Sequence, residues 1–282
     1  MTEYHRFSHD AMATSFEVII AQDDVDEIYA AQAAQAVFAE IDRLEDELSR
    51  FRPGSDIFRL NQLGAGECLA ISLAAWDCLN LAKTVHEETA GAFDITVGPL
   101  MHLWRDAEGN LIEPAAERLE LARYSIGSQL FELREEGCLV RVLADHMVFD
   151  LGAVGKGYAL DQAVQVLQDW DITRAFLNAG DSTLVALDSP SGEETWAVTL
   201  ADGTQEKKLL HQALSGSGFM VKGAHIMNPR TLKPVPVQGK RSYAIAPTAA
   251  LSDALSTAFM IMTPDEIQSL CERYREVEWM EI

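Results

Sequence analysis

The segment Asp150-Leu-Gly-Ala-Val-Gly-Lys-Gly-Tyr-Ala-Leu-Asp161 carries the residue types of an anion site. Glycines at 152, 155 and 157 let a backbone approach a ligand closely, and Lys156 adds a mobile cation. A strand is expected to end at Asp150 and a helix to begin near Tyr158. The unpaired N–H groups of that helix start would then face the anion, which suits a phosphate. Two familiar nucleotide signatures do not fit. A Walker A loop needs GxxxxGK[ST], but Gly157 follows Lys156; the Rossmann fingerprint needs GxGxxG, but the spacing here is GxxGxG. The same residues would equally serve a tight strand-to-helix turn with no ligand.

Three further groups could do chemistry. Asp253 and Thr257 are four residues apart and share one face if their segment is helical. A carboxylate and a hydroxyl are hard oxygen ligands, suited to Mg²⁺ rather than zinc. The flanking Ala249, Ala250, Ala254 and Ala258 point to a buried helix, where an Asp needs a partner or a metal. The run Gly91-Ala92-Phe93-Asp94-Ile95-Thr96-Val97-Gly98-Pro99 could hydrogen-bond and stack on a ring, or simply close a loop. His225, in Ala224-His225-Ile226-Met227-Asn228-Pro229-Arg230-Thr231, is a candidate general base, although a lone histidine more often serves structure. Neither Ser215 nor Ser217 has a glycine two residues away on each side, so the GxSxG hydrolase elbow is absent.

Composition narrows the ligand. The 282 residues carry a net charge of −22. A chain this acidic repels nucleic acid and acidic membranes unless it has a basic patch, and its densest basic runs are only Lys207-Lys208 and Lys240-Arg241. A phosphate-bearing ligand would need local donors or a metal. The cysteines at 68, 78, 138 and 271 form no CxxC, so free thiols are expected and a zinc site is not. No signal peptide and no apolar run of membrane-spanning length is visible, so the cytoplasm is the expected compartment.

The elements that must position these groups follow from periodicity. Residues 16–21 read as a strand, and a long helix runs to about residue 50, with Val37, Ile41, Leu44 and Leu48 on one face. Ser72 is an N-cap for a helix bearing Leu73, Trp76 and Leu79. Residues 138–143 and 147–150 read as two strands around the turn 144–146, and residues 159–170 as a helix. Short strands are expected at 174–177, 183–187, 195–200 and 242–246. Two helices end the chain, one over 249–262 and one opened by the capping box Thr263-Pro264-Asp265-Glu266. Residues 106–117 read as a surface excursion. Helices and strands mix without a βαβ rhythm, so an α+β fold with largely antiparallel sheets and flanking helices is expected, as a single domain over 1–282.

Taken in order, the blocks resemble the ApbE family of FAD:protein FMN transferases. They are Met12-Ala13-Thr14, Leu48-Ser49-Arg50-Phe51 with Ser55 and Asn61, residues 91–98, residues 150–158 with Asp161, residues 225–231, and Ala249 through Thr257. The resemblance covers about residues 12–262. It implies a T-fold-like α+β architecture and Mg²⁺-dependent cleavage of the FAD pyrophosphate. FMN would pass to a Thr or Ser hydroxyl of a target flavoprotein, and AMP would leave. By position it implies Asp253, Thr257 and a main-chain carbonyl at Gly155 for the metal. It implies Met12, Phe51, Ala92, Phe93, Asp94, Lys156, Tyr158 and His225 for FAD, and Asp253 or His225 as the base. Hydrolysis of FAD to FMN and AMP, and FAD binding without catalysis, are the other readings the same residues allow. The chain departs from the family at Asn178-Ala179-Gly180-Asp181, at Leu214-Ser215-Gly216-Ser217-Gly218 and at Phe51, where a Tyr is common; no lipobox is seen.

Overall fold

The computed structural model describes residues 4–106, 108–180, 182–201, 203–218, 226–236 and 241–282. The chain opens with a hairpin, β1 (His5–Ala11) and β2 (Thr14–Ile20), and alternation in β2 buries Phe16, Val18 and Ile20. In α1 (Glu27–Leu48) the side chain of Asp26 caps the first turn, and Val37, Ile41, Leu44 and Leu48 lie on its buried stripe. After α2 (Asp56–Leu60) and β3 (Cys68–Ala70), Ser72 caps α3 (Leu73–Glu88) as its sequence implies. Next come α4 (Gly98–Leu103), α5 (Ala116–Arg123), β4 (Phe131–Arg134), β5 (Leu139–Val142) and α6 (Gly155–Asp169). Strands β6 (Ala175–Ala179), β7 (Thr183–Ala186), β8 (Trp196–Thr199), β9 (Glu206–Leu209), β10 (Gln212–Gly218), β11 (Met227–Asn228), β12 (Lys233–Pro234) and β13 (Arg241–Ala246) follow. Then α7 (Ala249–Phe259) and α8 (Pro264–Arg273), with its capping box formed, lead to β14 (Glu278–Glu281).

Seven strands form one sheet in the order β1-β2-β6-β7-β10-β13-β14, and every neighbouring pair is antiparallel. Helices α1, α6 and α7 cover one face in the main hydrophobic core. On the other face the β8–β9 hairpin seats Trp196, Val198, Leu200 and Leu209 against Leu184, Leu214, Tyr243 and Ile245. Strand β7 is therefore covered on both sides, and all four of its residues are buried. The fold is the expected α+β arrangement of antiparallel sheet and helices. No helix among the described residues is long and apolar enough to cross a membrane.

Three local expectations are corrected. Strand β5 pairs with β4 and β3, not with residues 147–150, which make only a parallel bridge from Val148 to Val97. The reason is Asn61. Its amide group donates to the Phe149 carbonyl at 3.0 Å and accepts from the Phe149 amide at 2.6 Å, standing in for a neighbouring strand. Helix α6 begins at Gly155, several residues earlier than expected. The chain ends in the edge strand β14, because four residues are too few for a period-2 pattern to declare itself.

Candidate active site

A cavity of about 1220 Å³ opens beside the sheet, between β2, α4, α6, α7 and the β8–β9 hairpin. One wall is built where α6 meets α7. Helix α6 has no side-chain cap at its start; its Gly155 amide donates back to the Leu151 carbonyl at 2.7 Å. The Gly157 amide reaches the Asp253 carboxylate Oδ2 at 3.3 Å, and the Lys156 ammonium lies 3.4 Å from the same oxygen. The close approach is possible because residue 157 is glycine: a Cβ there would lie inside the Ala249 carbonyl. Asp161, one turn on, accepts from the Ala249 and Ala250 amides at 2.7 and 2.9 Å and so caps α7. Burial pushes the Asp161 carboxyl up to about 6, against the pull of those two amides.

A seam of hydroxyls fixes the other side of α7. Ser217 on β10 lies 2.9 Å from Ser256 and 3.0 Å from Thr257, and Ser215 lies 2.6 Å from Ser252. Asp253 is 5% exposed and lines the cavity together with Thr257, Ser217, Lys156 and Gly155. Its second oxygen has no partner among the described residues.

The same cavity is lined by Ala92, Phe93 and Asp94, all buried. Asp94 Oδ1 accepts from the Thr96 amide at 2.8 Å and the Thr96 hydroxyl at 2.6 Å. Its Oδ2 lies 3.3 Å from Nδ1 of His86, which is also 2.9 Å from the Phe93 carbonyl. Burial opposes a charge on His86, but the Asp94 carboxylate and the Phe93 carbonyl outweigh it and raise its pKa. At the rim, Phe51 is 76% exposed, with the Arg50 guanidinium 4.5 Å from its ring centre. Arg50 also lies 3.4 Å from Asp150. Met12 and Ala13 form the β1–β2 turn and reach the cavity in left-handed conformations, φ 49° and 56°. Non-glycine residues held there store strain of the kind found at ligand sites.

The donor set is one carboxylate, one hydroxyl and nearby main-chain oxygen. Among the described residues there is no group of three or more His, Cys, Asp or Glu side chains that could cage a metal. A small hard cation that keeps waters and binds through one carboxylate plus substrate phosphates fits these donors; a zinc ion does not.

A model of the ApbE family matches residues 12–280. The chain belongs to the ApbE family. It is 26% identical over 266 residues to a FAD:protein FMN transferase of Klebsiella pneumoniae strain 342, covering 87% of this chain and 75% of the relative. It is 25% identical over 272 residues to the Escherichia coli K12 protein of the same name, covering 88% and 76%. The flavinyl transferase ApbE of Pseudomonas stutzeri, solved in its apo form, superposes with a TM-score of 0.85 at 22% identity, over 99% of this chain and 92% of that one. An ApbE protein of Thermotoga maritima gives 0.84 at 25%, over 99% and 94%.

Within this ApbE fold, the residues expected at the site divide as follows. Met12, Phe51, Ala92, Phe93, Asp94, Gly155, Lys156, Asp253 and Thr257 all line the one cavity. His225 lies outside the described residues, although Ile226 lines the cavity. Tyr158 sits apart from them. It is not among the lining residues, and its hydroxyl donates to Asp77 on α3 at 3.0 Å. Burial, and then the Asp77 carboxylate, raise its pKa. Because α6 begins at Gly155, Lys156 and Tyr158 sit about 200° apart around one helix. Asn61, His86 and Ser217 acquire roles that sequence did not assign; Asn61 stood in a block shared with the family and Ser217 in a small-residue run that departs from it, while His86 offered no signal.

Proposed function

We propose that this chain is a FAD:protein FMN transferase that attaches FMN through a phosphoester to a Thr or Ser of a target flavoprotein and releases AMP. The observation that carries the reading is the convergence of Gly155, Lys156, Asp253 and Thr257 on one cavity that Phe93 and Asp94 also line. It is supported by the curated relatives of that name. An acidic chain needs local positive potential to hold a pyrophosphate, and Lys156, at the N-terminal end of α6, would supply it.

Mg²⁺ bound to Asp253, Thr257 and the Gly155 carbonyl would neutralise charge on the pyrophosphate. The chain's own residues position the reactants. In the transfer, the acceptor oxygen forms a bond to the FMN phosphorus, and the bond from that phosphorus to the oxygen bridging to AMP breaks. Phosphoryl transfer depends on such alignment and charge stabilisation more than on covalent help from the protein. Asp253 and His225 are the two groups proposed to take the acceptor proton.

Purified protein given FAD and Mg²⁺ with an acceptor flavoprotein should release AMP and add the mass of FMN to the acceptor. Asp253→Ala should abolish both. AMP release without a mass adduct on any flavoprotein would identify a FAD pyrophosphatase, and equal release in EDTA would remove the metal from the reaction.

A further inference from the structure

We propose that the outer edge of β8 receives an extended segment of the acceptor protein as an added strand, which lays the segment's Ser or Thr hydroxyl in the cavity. The proposal rests on the transferase reading above. The Leu200 amide donates to the Gln205 carbonyl at 2.8 Å, continuing the register that pairs Val198 with Lys207 and Trp196 with Leu209. Antiparallel ladders alternate, so the main-chain groups of Ala197 and Thr199 point away from β9. No described residue pairs with that edge. At the next outward position, the Ala201 amide finds only a side chain, the Tyr243 hydroxyl at 3.1 Å.

This edge belongs to the active-site cavity. Residues 196–201 all line it, together with Asp253 and Thr257, while no residue of β9 does. Successive side chains of a strand point to opposite faces, so an unbroken run of lining residues means that the strand turns its backbone edge to the space. Trp196, Val198 and Leu200 anchor the hairpin on the sheet and hold the edge in place. Ala197 and Thr199 are exposed and carry no charge. Free edges are usually blunted by charge or proline, as β14 is by Glu278 and Glu281 and β1 by Arg6 and Asp10; the outer edge of β8 has neither. The cavity, about 1220 Å³, exceeds the ~300–1,000 Å³ of a pocket for one drug-sized ligand. Strand addition supplies main-chain hydrogen bonds, which hold a segment extended whatever its side chains.

Ala197→Pro and Thr199→Pro each remove one outward amide and leave the bonds to β9 in place. The probe is the flavoprotein domain that gains an FMN adduct from the wild-type enzyme. In each variant its KM should rise about tenfold or more, and by a larger factor than the Kd for FAD. Circular dichroism and Trp196 fluorescence report whether the hairpin stays folded. In the wild-type enzyme, saturating domain should slow hydrogen exchange at the Ala197 and Thr199 amides, a reading independent of any variant. A wild-type KM in either variant, or unchanged exchange at both amides, overturns strand addition. Failure of the wild-type enzyme to modify any flavoprotein domain overturns the transferase reading and this proposal with it, a result distinct from transfer that ignores the edge.

Discussion

The ammonium of Lys156 lies 3.4 Å from Oδ2 of Asp253, and both side chains are largely buried. The pair joins the first turn of α6 to the middle of α7, 97 residues away in sequence. Lys156 thus stands between the carboxylate proposed for the metal and the space proposed for the pyrophosphate. Lys156→Met should lower AMP release by about 10²-fold, the loss expected when one positioned donor to developing charge is removed. Chromatographic assay of AMP at saturating FAD and Mg²⁺ measures it; activity within twofold of wild type would place Lys156 outside the chemistry.

Asp161 gives a pH signature. Its carboxyl is raised from 3.8 to about 6, chiefly by burial, so the folded chain binds this proton more tightly than the unfolded chain. The group therefore adds stability at low pH that is lost as pH rises from about 4 to about 6. Asp161→Asn does not titrate. Relative to that variant, wild type should be most stable near pH 4 and lose its advantage by about pH 6.5. Melting temperatures of both proteins across this range test it, and a constant difference would refute the linkage.

Gly157 and Gly155 should behave oppositely. A Cβ at 157 would lie inside the Ala249 backbone, whereas at 155 its nearest neighbour is the Leu151 Cβ at 3.7 Å. Gly157→Ala is expected to destabilise by about 1–3 kcal/mol through overpacking. Gly155→Ala should be neutral or stabilising by up to ~1 kcal/mol from helix propensity. Urea denaturation of the two variants separates them.

Much of this site can be read from residue order, and the failures have physical causes. The i, i+4 pair Asp253 and Thr257 predicts a shared helix face because helical geometry is local, and both side chains reach the cavity. The early start of α6 is not legible in the sequence because no capping residue at 154 marks it; contact with α7 and Asn61 holding Phe149 position it instead. The partnership of β4 with β5 depends on which strand wins a pairing, and hydrophobic alternation does not encode that. His86 looks like any residue in the last turn of α3 until the chain folds Asp94 back beneath it.

His86 can be tested separately. His86→Leu deprives Asp94 Oδ2 of its donor in a buried position, while Thr96 still holds Oδ1. The Kd for FAD, read by flavin fluorescence, should rise about tenfold. His86→Asn, which keeps a donor, should recover part of the loss. Equal affinity in wild type and the Leu variant would leave His86 a scaffold residue only.

The carboxylate of Asp161 ends on the amides of Ala249 and Ala250, and Gly157 is shaped to the same turn. The loop proposed for phosphate is thus completed by a helix that the ribosome makes almost a hundred residues later. A growing chain that has displayed the loop, α6 and most of the sheet still lacks the wall bearing Asp253 and Thr257. Order of synthesis therefore brings the two side chains proposed for the metal last, and a nascent chain that stops short of residue 253 has neither of them to offer FAD.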